Sequence, residues 1–425
     1  MRPIERSNVL KCTAGEGVFG IGMGLVAAMT ALPLLLTQLG AGKVLLGLGF
    51  SICTAGWYVG QPVGLVLFGR RRRTKRFLVP WSFCCSVPTY LAMGLAVYFL
   101  GPREPRLCAA AVLGLLAVRF VGGGSATPLW FDWQALVFRR EIRGRAIGMM
   151  AGASALGVSI AALAAGAALR FLDFPVDYGL LFAFSAFICA VALGFFLAVR
   201  EPASVTAPAT TMKLAETAGR LLRSLREKNF RRYLVARIVL TLGAGATGFY
   251  AIHFKSPEGG GLADSTVIAL GAFLTLPQAL ASYVLGRLGD RAGHKVGILL
   301  GALAQVASLA VAFLGRGGLA CIASFALVGV AWSSAWVSHV NMLFETCPHD
   351  SRVAHITLGN MFLSPFLLLV PLGTGWFMEH LVGVRAGIGW ALVPTLLGVL
   401  WLVFMVREPR TLEVTGPDTG EGASG

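Results

Sequence analysis

Gly286-Arg287-Leu288-Gly289-Asp290-Arg291-Ala292-Gly293-His294-Lys295 joins two long apolar segments, 265–286 and 296–314. A connection this short makes its flanking helices antiparallel neighbours. Its glycines allow a tight turn and a close helix approach. Asp290 is placed to accept hydrogen bonds from a neighbouring helix N-terminus and from an arginine. Each flanking segment has the length of a bilayer crossing, about 20 apolar residues, so the stretch is a charged hinge between two membrane spans.

The whole composition agrees. Of 425 residues 56% are apolar and 13% are charged, with a formal charge of +16. A water-soluble chain carries about 25% charged residues, so this one cannot solvate its own surface. Disorder is excluded, and a water-soluble enzyme is disfavoured, as is nucleic-acid binding despite the basic balance. Eight cysteines show no CxxC or Cys/His metal spacing, so no metal site, cofactor or disulfide framework is expected. Neither a Walker A sequence nor a GxSxG elbow occurs, which disfavours ATP-driven transport and serine hydrolysis. The expectation is a non-enzyme.

Apolar segments of bilayer length fall at 13–39, 44–69, 77–100, 107–131, 146–169, 179–199, 233–254, 265–286, 296–314, 319–341, 355–378 and 388–406. Of 36 Lys and Arg, 27 fall on the side that includes both termini and 7 on the other; only Arg119 and Arg237 lie within spans. The positive-inside rule makes the crowded side cytoplasmic. The chain is therefore expected to be an all-α, multi-pass protein with both termini inside. Its Ala-, Gly- and Arg-rich composition points to a bacterial inner (plasma) membrane.

The spans divide into two six-helix bundles, 1–199 and 233–406. The linker 200–232 carries Leu214, Ala218, Leu221, Leu222 and Leu225 at helical spacing with basic residues between them, an amphipathic helix suited to an anionic leaflet. The tail 407–425 is polar and Gly-rich, and is expected to be disordered. The halves are related: Phe68–Lys75 aligns with Leu288–Lys295, Asp132–Leu136 with His339–Leu343, and Arg145 with Arg352. Two related halves are the mark of repeat-built secondary transporters, whose site lies between the repeats near the midplane.

On these motifs the chain resembles the major facilitator superfamily (MFS) over almost its whole length. Residues 286–295 resemble the family's cytoplasmic-loop signature G-x-x-x-D-R-x-G-R/K-R/K. The resemblance implies a gate or latch formed by Gly286, Asp290, Arg291, Gly293 and Lys295, with Arg352 as partner. The N-half copy departs from it, with Arg70 at the acidic position and Arg73 at a glycine position. Span four, Leu115-x-x-x-Arg119-x-x-Gly122-Gly123-x-Ser125-Ala126, resembles L-x-x-x-R-x-x-Q-G-x-G-A, which contains a functional arginine in proton-coupled members. The G-P-x-x-G-G signature of drug–proton antiporters is missing from span five.

Arg119 is the deep cation, and a charge there costs several kcal/mol unless paired or wet. It is a candidate for substrate attraction or coupling; otherwise it bonds backbone carbonyls beside the Gly-rich first span. Glu16 stands about 34 Å from the outer end of span one, as a proton site or as an interfacial carboxylate paired with cytoplasmic arginines. Arg237 occupies the repeat position of Glu16, which fits a paired gate between the halves or two helix-capping groups. His253 is a further coupling candidate. The resemblance implies a cavity lined chiefly by spans one, four, seven and ten, where Trp57, Tyr58, Gln61, Tyr250, Gln278, Trp332, Ser333, Trp336 and Asn360 are the polar and aromatic candidates.

The expected function is alternating-access transport of a small, polar or anionic organic solute, ion-coupled through protons or sodium or facilitative, by a monomer in the lipid bilayer. The alternatives are a non-transporting scaffold or accessory subunit of the same fold and a drug/metabolite–proton antiporter.

Overall fold

The computed structural model describes residues 3–68, 75–201, 228–345 and 352–408. The amphipathic linker segment, the tail beyond Glu408, Arg70–Arg73, and the side chains of Asp290, Arg352 and Asn360 lie outside the described part.

Every regular element among the described residues is helical. In the first half these are α1 (Pro3–Gly24), α2 (Ala31–Gln38), α3 (Lys43–Phe68), α4 (Lys75–Leu100), α5 (Pro105–Val137), α6 (Arg140–Phe171) and α7 (Val176–Leu197). The second half holds α8 (Lys228–Ala244), α9 (Tyr250–Lys255), α10 (Asp264–Leu270), α11 (Ala272–Ala292), α12 (His294–Leu314), α13 (Gly317–Trp336), α14 (Ser338–Glu345), α15 (Arg352–Phe377) and α16 (Val384–Met405). Among the described residues eleven segments are long and apolar enough to cross a bilayer by themselves. The twelfth crossing is α1 with α2. Its first turns are charged and its path breaks at residues 25–30, after Gly20, Gly22 and Gly24. The seventh span starts at Lys228 rather than at 233, and breaks likewise into α8, a 3-10 turn (Gly245–Phe249) and α9.

The halves share one packing plan. In the first, α1 packs on α7, α3 on α5, and α4 on α5 and α7; in the second, α8 packs on α16, α11 on α13, and α12 on α13 and α16. Small residues permit the closest approaches: a Cβ at Gly20 would lie 2.3 Å from the Ser154 carbonyl oxygen, and one at Gly157 2.1 Å from that of Gly17.

The repeat is fixed atom by atom where each half closes on itself near the chain termini. Asn8 donates to the Arg200 carbonyl (2.8 Å) and accepts from the Arg200 amide (3.0 Å). Asn229 does the same with Arg407, at 2.9 and 2.8 Å. This register sets Glu16 against Arg237 and Gly24 against Gly245, so the two broken spans break at equivalent places.

The halves meet in the part of the molecule far from the termini. There α3 packs on α15, and α6 on α10 and α11. These are two copies of one contact about the pseudo-twofold axis.

Candidate functional site

The hinge that opened the sequence is built around a carboxylate the motif does not contain. Glu408, just beyond α16, accepts from the backbone amide of Lys295 at 2.8 Å and so caps the N-terminus of α12. Gly293 has φ +86°, and a Cβ there would lie 2.4 Å from the Glu408 carboxyl carbon, so the position excludes a side chain twice over. Lys295 also donates to the Val403 carbonyl at 3.1 Å. The close approach within the hinge belongs to Gly289, whose Cβ would lie 2.3 Å from the His294 ring. Gly286, expected to provide it, has only an ordinary 3.8 Å neighbour in Val337. Arg291 is exposed.

The first half repeats the device. Glu201 accepts from the Lys75 amide and from Trp133 Nε1, both at 2.8 Å, and the Lys75 ammonium donates to the Leu197 (2.8 Å) and Val199 (2.5 Å) carbonyls. The sequence carried a signal for both carboxylates: Val199-Arg200-Glu201-Pro202 recurs as Val406-Arg407-Glu408-Pro409.

Arg119 lies inside the first bundle. Helix α5 has 33 residues, which places Arg119 about 21 Å from one end and about 27 Å from the other. Its side chain is 1% exposed. The guanidinium sits over the rings of Tyr90 (5.4 Å), Phe19 (5.7 Å) and Phe120 (5.9 Å), and Nη2 is 3.7 Å from the Met23 sulfur. Nε has no partner. Gly123 makes the room: a Cβ there would lie 2.8 Å from Nη1 and 3.0 Å from Trp57. No carboxylate among the described residues pairs with it, and Glu16 is two helical turns from Met23. The cation is held by π-faces, worth about 0.5–2 kcal/mol each.

Glu16 and Arg237 are both partly exposed, and the structure does not bring them together. Among the described residues no arginine forms an ion pair with Glu16, whereas Glu5 on the same helix pairs with Arg139, whose Nε is 2.6 Å from Oε1. One turn from Arg237, Tyr233 shares a buried hydrogen bond with His339 Nδ1. His253 is buried with both ring nitrogens unpartnered.

Three cavity candidates turn inward to their own bundle. Tyr250 is fully buried and its hydroxyl meets Ser308 Oγ at 3.0 Å. Ser333 is fully buried and accepts from Ser282 at 3.0 Å. Gln61 is buried as well. Hydrophobic periodicity marks a face, but a helix inside a bundle has several, and these side chains serve the helix–helix ones.

Among the remaining candidates Trp332 reaches the other half, while Trp57 packs edge-on against Phe120 of its own bundle. Trp332 stacks on Phe50 of the other half, with centroids 6.5 Å apart and 17° between planes. Trp336, one turn nearer the termini on the same face, is 50% exposed. Trp57, Tyr58 and Gln278 are partly exposed. Around this aromatic pair the halves share a cluster of buried apolar side chains, and at several points they approach backbone to backbone. A Cβ at Gly47 would lie 2.3 Å from the Pro371 oxygen, at Gly375 2.3 Å from the Lys43 oxygen, and at Gly166 2.5 Å from the Ser265 oxygen. Ser51 donates to the Leu368 carbonyl (2.6 Å) and Ser159 to that of Ala272 (3.1 Å). The seam is thus tight far from the termini, and the partly exposed residues lie on the terminal side of it.

No known family profile and no curated protein sequence matches the chain. Solved structures do. A mutant of the nucleoside transporter NupG matches at 12% identity and a TM-score of 0.71, over 94% of this chain and 100% of that one. A D-xylose-proton symporter matches at 17% and 0.67, over 96% and 99%. The fold is that of the major facilitator transporters. A bacterial homologue of the human lysosomal transporter Spinster, in an inward-facing and unoccupied conformation, matches at 17% and 0.65 over 98% of both chains. In this major facilitator fold, α1/α2 and α8/α9 are the repeat-related first and seventh spans, and their breaks adjoin the seam.

Proposed function

We propose that the chain is a secondary transporter that moves a small organic solute by alternating access. The observation that carries this function is the seam. Two rigid bundles, each closed on itself by Asn–backbone and carboxylate–amide bonds, meet through glycine and serine contacts at one end. Helix backbones brought this close over small residues part and re-form as the halves rock, and the apolar side chains packed around them at that end part with them. The structural neighbours are transporters, which agrees.

The distribution of basic residues puts the terminal end in the cytoplasm, which makes this conformation inward-facing. The chain is a multi-pass protein of a bacterial plasma membrane and works as a monomer. When the cytoplasmic end closes, Glu16 and Arg237 approach each other, and Asp290, Arg291 and Arg352 hold the closed gate. Arg237, partly exposed with an unpartnered Nε, favours a polar or anionic solute in the open cleft. Glu16 is the carboxylate placed to exchange a proton, with sodium as the other coupling ion to test. Arg119, ringed by aromatic groups inside its bundle, acts on the shape and field of the first half rather than as an open docking point.

The test is solute flux into proteoliposomes under imposed proton and sodium gradients, with solutes preselected by their thermal stabilisation of the purified protein. Gradient-driven accumulation of a stabilising solute is expected. Stabilising ligands with no flux under any gradient would refute transport and leave the scaffold role.

A further inference from the structure

Among the described residues three helices start on a carboxylate brought from elsewhere in the chain. Glu201 caps α4 and Glu408 caps α12, each within its own half. The third crosses the seam. Glu379, at the far end of span eleven, accepts from the backbone amide of Val44 at 2.8 Å and so sits on the N-terminus of α3, in the other half. Gly42 provides the space, since a Cβ there would lie 2.7 and 2.8 Å from the two carboxylate oxygens. Lys43 binds the same turn, donating to the Met378 carbonyl at 3.1 Å. Helix α3 runs for 26 residues, so its N-terminus carries the full partial positive charge of a long helix.

We propose that Glu379 is the outer latch of the transport cycle, the positioning residue that holds the periplasmic end shut in the inward-facing state and must let go for the outward-facing one. This rests on the alternating-access function proposed above. The bond cannot survive rocking, because its acceptor and donor belong to different halves at the end that opens. Glu201 and Glu408 make the same bond inside one half and ride with it. The latch is also one-sided. By the repeat register Leu172 stands where Glu379 does, and among the described residues no carboxylate–amide bond crosses the α6–α10 side of the seam.

The test measures inter-half distances by spin labelling, in a background with the exposed Cys84 replaced by Ala. One label pair reads the outer end (Arg103→Cys with Arg316→Cys) and one the inner end (Arg145→Cys with Arg287→Cys), all at exposed positions. Glu379→Gln keeps shape and removes charge. Because Glu379 is exposed, the variant is expected to raise the ratio of outward- to inward-facing molecules roughly two- to fivefold, lengthening the outer distance while shortening the inner one. Gly42→Ala displaces the carboxylate without touching any charge and is expected to act in the same direction, so it decides the matter if Glu379→Gln does not fold. Glu201→Gln, the intra-half counterpart, should leave the ratio unchanged. Wild-type protein that exchanges between two outer distances while Glu379→Gln matches it overturns the latch alone. Wild type and variants fixed in one distance distribution, with no flux, overturn alternating access and the latch with it.

Discussion

The seam makes a quantitative demand. Gly47 and Gly166 lie on opposite sides of the pseudo-twofold axis, and each faces backbone of the other half. Backbone cannot rotate out of the way of an added methyl group. To bring a Cβ at Gly47 from 2.3 Å to the 3.4 Å where ordinary contact begins, α3 and α15 must separate by about 1.1 Å, and at Gly166 the gap is about 0.9 Å. Overpacking of this kind costs about 1–3 kcal/mol per site. The penalty applies to the state described here and vanishes once the outer end opens. Each Gly→Ala variant should therefore favour the outward-facing state by roughly fivefold to 150-fold. The sites share no partner, so the double variant should combine both effects.

Trp336 supplies the assay. It sits one turn from the Trp332–Phe50 stack on α13 and is 50% exposed, and in the function proposed above it lines the cytoplasmic-side cleft. A Trp336→Cys reporter should react with a membrane-impermeant maleimide from the cytoplasmic side in inside-out vesicles. Adding Gly47→Ala and Gly166→Ala together should slow that reaction at least tenfold and lower flux in parallel. Gly373→Ala is the control, because its Cβ meets nothing within 4 Å although it lies on the same helix as the seam contact. Equal labelling rates in the double variant, the control and the reporter alone would refute a state-specific seam.

Other expectations follow from single contacts. Gly293→Ala forces an L side chain to φ +86° and into the Glu408 carboxylate; it should lower stability by about 1–3 kcal/mol, seen as an earlier thermal unfolding transition. Asn8→Leu and Asn229→Leu each break a reciprocal pair of bonds to buried backbone, and should cost similar amounts, about 1–3 kcal/mol; a large difference between them would deny the repeat register. For Arg119→Met, the lost ring contacts of about 0.5–2 kcal/mol each are offset by removing a charge that costs about 2.5–3.5 kcal/mol at mid-bilayer. Its unfolding temperature should stay near that of wild type while transport falls; a loss above about 3 kcal/mol would mean that Arg119 has a strong anionic partner.

Much of the architecture is legible from short-range pattern. Span length, the 27-to-7 division of basic residues and the 286–295 hinge are local features, and local features survive translation into structure. The repeat was legible too, since Asn8 and Asn229 stand at equivalent places and close on Arg200 and Arg407. What a linear pattern does not hold is which distant groups meet. Arg119 is readable as a deep cation, yet its partners come from α1, α4 and its own helix, and no spacing rule joins Phe19, Tyr90 and Phe120. Tyr250 and Ser333 have the polarity of cavity residues, and only packing decides that they face their own bundle. The seam is less visible still. It is made by glycines, whose contribution is the absence of a side chain, against carbonyls that every residue has.

The division of charge follows from the same mechanics. A carboxylate on a helix N-terminus is strong when desolvated and unforgiving of displacement, because the bond is short and directional. Placed within a half, as at Glu201 and Glu408, it makes the half rigid at no cost to motion. Placed across the seam, as at Glu379, it sets a threshold that each cycle must cross. Interfaces of small residues have the opposite property, since dispersion between backbones fades smoothly as they part. A machine that rocks needs rigid bodies, a soft hinge line and one adjustable catch, and those are the three roles that this structure gives its helix-capping carboxylates and its glycines. Moving the catch to the other side, by Leu172→Glu on α6 with Glu379→Gln, is the corresponding engineering step: where the new carboxylate reaches the N-terminus of α10, the inner-to-outer ratio lost in Glu379→Gln returns, and where Asp264 repels it, the ratio falls further.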